Sequence, residues 1–381
     1  MKKQLVLAAG LAVLAAPAFA SKARLQALGE DIYGSQYIND NRNIFLNAAN
    51  VNEYKDMVTM EWGDTAATDD SAATPRAEGG VFFGHGNLVY GVQLGSESDT
   101  AQGMRQAAGL TAAQSEEQNT IDLFVGGDAG IKWGASLLHS SSKTEQTAAD
   151  EEQSAMRARL GVSQGAWNAF ANVSLKNEAE VDGGAEFKGK TGYQLGGGYM
   201  LNEYNVFAQY QSLDGENAAE DKIEVKRMIV GVGRITKLND KANLFTKVSY
   251  EATEANNEGA AAGNGAIFTV EESKTTELPV TVGLEYDAAS WLTLRGSVSQ
   301  NVLISKLEQE DEATIDSTEV AMGASLKFGD LVVDGMIGNS SSVEEATDGD
   351  STTSVGENTS NGGGVLRTDT LMSRVAVTYK F

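Results

Sequence analysis

From residue 56 onward, apolar and polar positions alternate with period two, the pattern of strands that present one apolar face. The end of the chain is the clearest case. Val375, Val377, Tyr379 and Phe381 share one face, and Arg374, Ala376, Thr378 and Lys380 share the other. Trp167, Ala169, Ala171, Val173 and Leu175 alternate in the same way with Asn168, Phe170, Asn172, Ser174 and Lys176. So do Leu278, Val280, Val282, Leu284 and Tyr286 with Pro279, Thr281, Gly283 and Glu285.

Sixteen such segments can be counted, near 56–63, 78–85, 88–96, 119–128, 131–140, 154–164, 167–177, 188–201, 204–213, 223–236, 241–250, 277–287, 291–302, 317–328, 331–340 and 371–381. The faces of 78–85 and 223–236 read either way, which leaves fourteen or eighteen strands open. Short turns follow the even-numbered segments, around Gly86, Ala129, Gly165, Asn202, Asn239, Ala289 and Gly329, and long polar connections follow the odd ones. Short turns on one rim, long loops on the other and one apolar face per strand describe an all-β fold, a closed antiparallel transmembrane β-barrel. Closure is required, because lipid cannot satisfy the backbone of a free sheet edge. A secreted β-sandwich also alternates, but it gives no reason for long and short connections to take turns.

The start of the chain reads differently. Met1-Lys2-Lys3 is basic, residues 5–16 are an unbroken apolar run, and Ala18-Phe19-Ala20 is a small-x-small cleavage pattern. This predicts a secretory signal peptide over 1–20. The run is too short for a membrane span, which needs ~20 apolar residues. With the barrel over 56–381, residues 21–55 remain as a separate segment, either a plug or a periplasmic extension.

Composition narrows the functions. The chain has 53 acidic and 29 basic residues, for a net charge of −24. Nonspecific nucleic-acid binding needs basic surface and is excluded as a first reading. There are no cysteines, which removes disulfides, thiolate metal sites and cysteine catalysis. Glycine is abundant at 42 and proline scarce at 3, which fits strands joined by tight turns.

The charges sort by rim. The eight long connections, taken as 64–78, 97–118, 143–153, 178–186, 213–222, 251–277, 303–317 and 340–370, hold 37 of the 53 acids and 7 of the 29 bases. Beside another anionic surface such loops need divalent cations between the like charges. The inward faces carry the candidate pore-lining residues Arg157, Arg159, Lys176, Lys247, Arg295 and Arg374, with the acids Asp122 and Glu285. Gln93, Lys132, Lys327 and Asp334 share those faces, and Gly, Ser, Thr and Asn fill much of the rest. An antiparallel register about Ala166 sets Arg157 nearly opposite Lys176. Arg159, Lys247, Arg295 and Arg374 fall at comparable heights. The expectation is a wet, polar lumen with a belt in which bases outnumber acids.

The ending Val375, Val377, Tyr379 and Phe381 resembles the C-terminal strand of Gram-negative outer-membrane barrels. The resemblance implies that a terminal Phe, an aromatic two residues earlier and alternating apolar positions are read by the barrel-assembly machinery. Length and strand count resemble porins and porin-like channels. Porins narrow the pore with a long third outer loop, but here that loop, 143–153, is short and acidic. The expected occluder is instead 21–55. Its Ala23–Gly29 and Asp40–Val51 stretches resemble the plug of the long-chain fatty acid transporter family, with Asn47-Ala48-Ala49 where that family has Asn-Pro-Ala.

Candidate chemistry is sparse. The two histidines are His85 and His139. His139 adjoins Ser140, but neighbours on a strand point to opposite faces and cannot pair, so His139 reads as an outward interfacial residue. Gly196-Gly197-Gly198 lies within a strand and forms no phosphate loop. Asp348-Gly349-Asp350 supplies only part of a calcium loop. No catalytic residue, metal or cofactor is predicted. The expected function is passive diffusion of small hydrophilic solutes across the outer membrane of a Gram-negative bacterium. Two alternatives are a structural or adhesive surface barrel with cation-binding acidic loops and a channel for hydrophobic solutes like the fatty acid transporters, which would need an apolar lumen. The expected partners are outer-membrane lipids, lipopolysaccharide with divalent cations, the assembly machinery and, as in porins, further copies of the chain.

Overall fold

A computed structural model describes residues 21–63, 77–96, 99–117, 119–145, 150–259, 271–308, 312–313, 315–345 and 374–381. The expected signal peptide, 1–20, and Asp348-Gly349-Asp350 lie outside the described residues.

The strands are β1 (Met57–Trp62), β2 (Ala77–His85), β3 (Leu88–Leu94), β4 (Ile121–Asp128), β5 (Lys132–Thr144) and β6 (Glu151–Gln164). They continue as β7 (Trp167–Val181), β8 (Glu186–Gly189), β9 (Gly192–Leu201), β10 (Tyr204–Asn217), β11 (Lys222–Asn239) and β12 (Ala242–Asn257). The last are β13 (Glu272–Ala289), β14 (Leu292–Glu308), β15 (Glu312–Ala313), β16 (Ile315–Phe328), β17 (Leu331–Glu345) and β18 (Arg374–Lys380). β8 with β9, and β15 with β16, each form one interrupted stave, so the barrel has 16 staves. All neighbours are antiparallel. β1 closes the ring by pairing with both β2 and β18, from Met57 opposite Lys380 to Trp62 opposite Val375. The Phe381 amide adds a 2.9 Å bond to Asp56 O at this seam.

The faces follow from the alternation. Met60, Leu160, Leu195, Val230, Val282 and Val298 are exposed on the outside, where lipid covers them. Phe83, Trp133, Trp167, Tyr199, Tyr204, Tyr286, Trp291 and Tyr379 form an exposed aromatic girdle near the short turns. His139 is exposed beside Ser140, which is buried on the opposite face.

One side chain departs from the expected faces. A bulge separates the β6 partners Met156 and Arg157, so that Met156 lies opposite Lys176 and Arg157 opposite Ser174. The extra residue, Leu175, inverts the faces beyond it. Lys176 therefore points outward, pairing with Glu178 at 2.9 Å, and does not line the lumen or face Arg157.

Two segments enter the barrel. The first is 21–55, with helices α1 (Lys22–Ala27) and α2 (Asn43–Leu46) and a 3₁₀ helix over Ala48–Glu53. Ser21 Oγ caps α1 by accepting from Arg24 N, and Asn47 Oδ1 caps the 3₁₀ helix by accepting from Ala49 N, both at 3.0 Å. The second is the outer loop after β3, with α3 (Asp99–Ala107) and α4 (Ala112–Ser115), the latter opened by a Thr111–Gln114 capping box. No periodicity in this loop predicts that it turns inward. Only 21–55 was expected to occlude the lumen.

Candidate functional site: the lumen and its two inserts

The inserted segment 21–55 sits on a seat made of glycine. Gly126, Gly134 and Gly161 lie directly opposite one another on β4, β5 and β6, and the 3₁₀ helix lies across them. A Cβ on Gly134 would stand 2.8 Å from Ala49 N and closer still to the Ala48 carbonyl. One on Gly161 would stand 2.8 Å from Ala49 N. Only residues without side chains let two backbones approach this closely. Amide groups then tie the segment down: Asn172 Nδ2 donates to Leu46 O at 3.0 Å, and Asn52 Nδ2 to Trp133 O at 2.9 Å.

Beside the seat the lumen is apolar, contrary to the polar lining expected. Phe82, Phe124, Phe170 and Phe207 point inward and are buried, and on β12 Phe245 packs against Leu25, Leu28, Tyr37 and Ile38. Phe82, Phe170 and Phe207 lie over Gly91, Gly196 and Gly231 of the neighbouring strands, covering backbone that glycine leaves bare. Phe124 meets Phe82 and Phe45 edge to face at 5.7 and 5.8 Å. Ile44, Phe45, Val51 and Tyr54 of the insert complete this cluster. Each Phe occupies an inward position of an otherwise polar strand face, and that is why the sequence reading passed over them.

Ion pairs ring the insert on several strands. Arg24 donates to Asp40 at 3.2 Å and to Glu285 at 3.1 Å. Arg295 bridges Glu285 at 3.0 Å and Asp334 at 2.8 Å. Lys22 and Arg42 both pair with Glu78, and Glu61, across from Glu78, accepts from Ala23 N at 3.3 Å. Glu78 is thus a lumen residue on β2, not part of a loop. Lys247 pairs with Glu30 at 2.6 Å, Arg159 with Asp122, and Arg157 with Glu117 of the inward outer loop. Arg374 is buried on the inward face beside this group. The bases Arg157, Arg159, Lys247 and Arg295 are therefore paired. Glu30 and Glu117 come from the two inserts, and Asp122, Glu285 and Asp334 from the strands themselves.

That loop is anchored by Arg105, which is wholly buried. Its guanidinium donates to Asn177 Oδ1 and Gln153 Oε1 at 2.8 Å, Ser115 O at 3.2 Å and Ser154 O at 3.4 Å. All four acceptors are neutral. Burial lowers the Arg105 pKa to about 10, so it remains a cation at neutral pH. Met104 and Leu110 pack beside it against Phe187, Ile223, Val225 and Ala255. The capping box was the one signal that could have revealed an ordered loop here.

Between the two inserts lies a chamber of about 390 Å³. Glu30–Gly34, Gln36, Arg42, Phe45 and Leu46 of the first insert form its floor, Ala101 of the second reaches its roof, and Arg157, Arg159, Gln194, Gln209, Arg227 and Lys247 line its sides.

Residues 135–328 match the outer membrane protein beta-barrel domain family. No curated protein sequence matches the chain. Among solved structures it is similar to the CymD monoaromatic hydrocarbon channel, at 11% identity and a TM-score of 0.43, covering 95% of this chain and 98% of that one. It is similar to the Ralstonia pickettii toluene transporter TbuX at 13% identity and a TM-score of 0.40, with the same coverage of 95% and 98%. A porin aligns at 14% identity and a TM-score of 0.38, over 85% of this chain and 99% of that one. With its family match, closed ring of strands and lipid-facing exterior, the chain belongs to the outer membrane protein beta-barrel domain family and is a multi-pass β-barrel of the Gram-negative outer membrane.

Proposed function

We propose that the chain is an outer-membrane channel for small hydrophilic solutes, closed at rest by two inserts. Residues 21–55 act as a plug at the short-turn end, and residues 99–117 act as a cap at the long-loop end. The observation that carries this reading is the chamber between them, where guanidinium, ammonium, carboxylate and amide groups that hold water and polar solutes stand among apolar side chains such as Phe45, Phe207 and Ile229. A barrel serving only as a surface scaffold has no use for it. In this reading the acidic loops meet lipopolysaccharide through divalent cations, and Val375, Val377, Tyr379 and Phe381 present the assembly signal.

Single-channel recording in planar bilayers tests the reading. The mature chain opens rarely, removal of either insert leaves small steps, and removal of both gives conductance several-fold larger. A doubly deleted chain that still folds as a heat-modifiable barrel but stays silent refutes the channel and leaves the surface scaffold.

A further inference from the structure

We infer that the chamber is a binding site for a small zwitterion with an amide-bearing body, such as a short peptide. The inference rests on the channel reading and names its solute class.

Charge is separated across the chamber. On the β6 side, Arg42, Arg157 and Arg159 face the space, whereas Glu78, Glu117 and Asp122, which balance them, do not line it. The carboxylates stand behind the guanidiniums. Arg159 spends Nη1 on Asp122 and on Ser136 Oγ at 3.1 Å, and Arg42 spends Nε and Nη1 on Ile32 O and Glu78. The remaining edges of these planar forks suit an incoming carboxylate.

The β11–β12 side is the reverse. Lys247 is matched by Glu30 and Arg227 by Glu251, at 2.6 and 2.9 Å. Asp31 is then left over. It lines the chamber, is exposed, and accepts a single bond from Tyr33 N at 2.8 Å. Among the described residues its carboxylate makes no ion pair, so this wall carries the negative excess that an ammonium requires.

The strands between these walls supply amides. β7, β9 and β10 lie between β6 and β11 in the ring, and they present Asn172, Gln194, Gln209 and Gln211 to the chamber. Each amide both donates and accepts, which matches a peptide group better than an aliphatic chain. The volume lies in the usual range for small-molecule sites, roughly 300–1,000 Å³.

Isothermal titration of the folded mature chain in detergent tests this with three probes: glycylglycine, N-acetylglycine, which lacks the ammonium, and glycinamide, which lacks the carboxylate. Glycylglycine should bind, and each single-charge probe should bind about tenfold more weakly or worse. Asp31→Asn should weaken glycylglycine about tenfold and leave N-acetylglycine unchanged. Its folding is checked by the heat-dependent gel shift. Equal binding of all three probes, no binding of glycylglycine, or an indifferent Asp31→Asn overturns the inference. If glycylglycine does not bind while the doubly deleted barrel conducts, the solute class fails and the channel stands. If that barrel is silent, the channel reading and this inference fall together.

Discussion

Replacing Gly134 by Ala would push the plug off the wall with a single methyl group. The new Cβ would meet Ala49 N at 2.8 Å and the Ala48 carbonyl carbon and oxygen more closely still. All of these are backbone atoms, so no change of rotamer relieves the clash, and the 3₁₀ helix must withdraw by roughly 1 Å to restore ordinary contact distances. Withdrawal stretches the Asn172–Leu46 and Asn52–Trp133 bonds on either side. Overpacking of this kind costs about 1–3 kcal/mol. At tenfold per 1.4 kcal/mol, the ratio of seated to unseated plug falls about 5- to 150-fold. Gly335→Ala is the matched control, because a Cβ there meets nothing within 4 Å. The assay is open probability in planar bilayers, read beside protease sensitivity of residues 21–55. Gly134→Ala should open more often than Gly335→Ala, with an unchanged step size. Identical open probabilities would show that the seat does not hold the plug.

Further outcomes follow from the same contacts. Deleting Phe381 removes an exposed aromatic and its 2.9 Å seam bond to Asp56, so the yield of heat-modifiable barrel in cells should fall; normal yield would show that the terminal strand is not the assembly signal. Arg105→Met removes the guanidinium that donates to Gln153, Asn177 and the Ser115 and Ser154 carbonyls. At about 1–3 kcal/mol per unsatisfied buried group, residues 99–117 should become at least about tenfold more sensitive to protease on intact cells. Replacing Arg159, Arg295 and Arg374 together by Ser uncovers Asp122, Glu285 and Asp334. In a barrel lacking residues 21–55, the reversal potential in a salt gradient should then move toward cation preference, and no movement at about 1 M salt would place those residues away from the conduction path.

The barrel was legible because period-two alternation is enforced on every stave by lipid on one side and water on the other, and turn length repeats the message at each rim. The same rule misled at Lys176, since a single bulge at Leu175 inverts a face without any change in the apolar pattern. The inward bases Arg157, Arg159, Lys247 and Arg295 were visible on their strands, as were Asp122, Glu285 and Asp334, but the partners of Arg157 and Lys247 were not. Glu117, Glu30 and Asp40 belong to segments whose path into the lumen no periodicity encodes. The glycine seat was hidden for a related reason. Gly126, Gly134 and Gly161 are unremarkable in three separate strands and become a row only through the register of β4, β5 and β6.

The two ways in which the plug is held divide the labour between affinity and placement. Buried ion pairs such as Arg24–Glu285 and Lys247–Glu30 return in attraction about what their desolvation costs, so they add little net stability. They do penalise every misplaced arrangement, because a shifted plug leaves charges unpaired in a confined space. The Phe82–Phe124–Phe45 cluster and the glycine seat have no such offset, since they gain dispersion and apolar burial with few charged groups to desolvate. Holding strength therefore resides in the apolar contacts and the glycine seat, and register in the ion pairs. A plug built this way can release from its seat while its ionic contacts remain to guide it back. It follows that substitutions at the glycine seat should change how often the channel opens, and substitutions among the ion pairs should change how faithfully it closes.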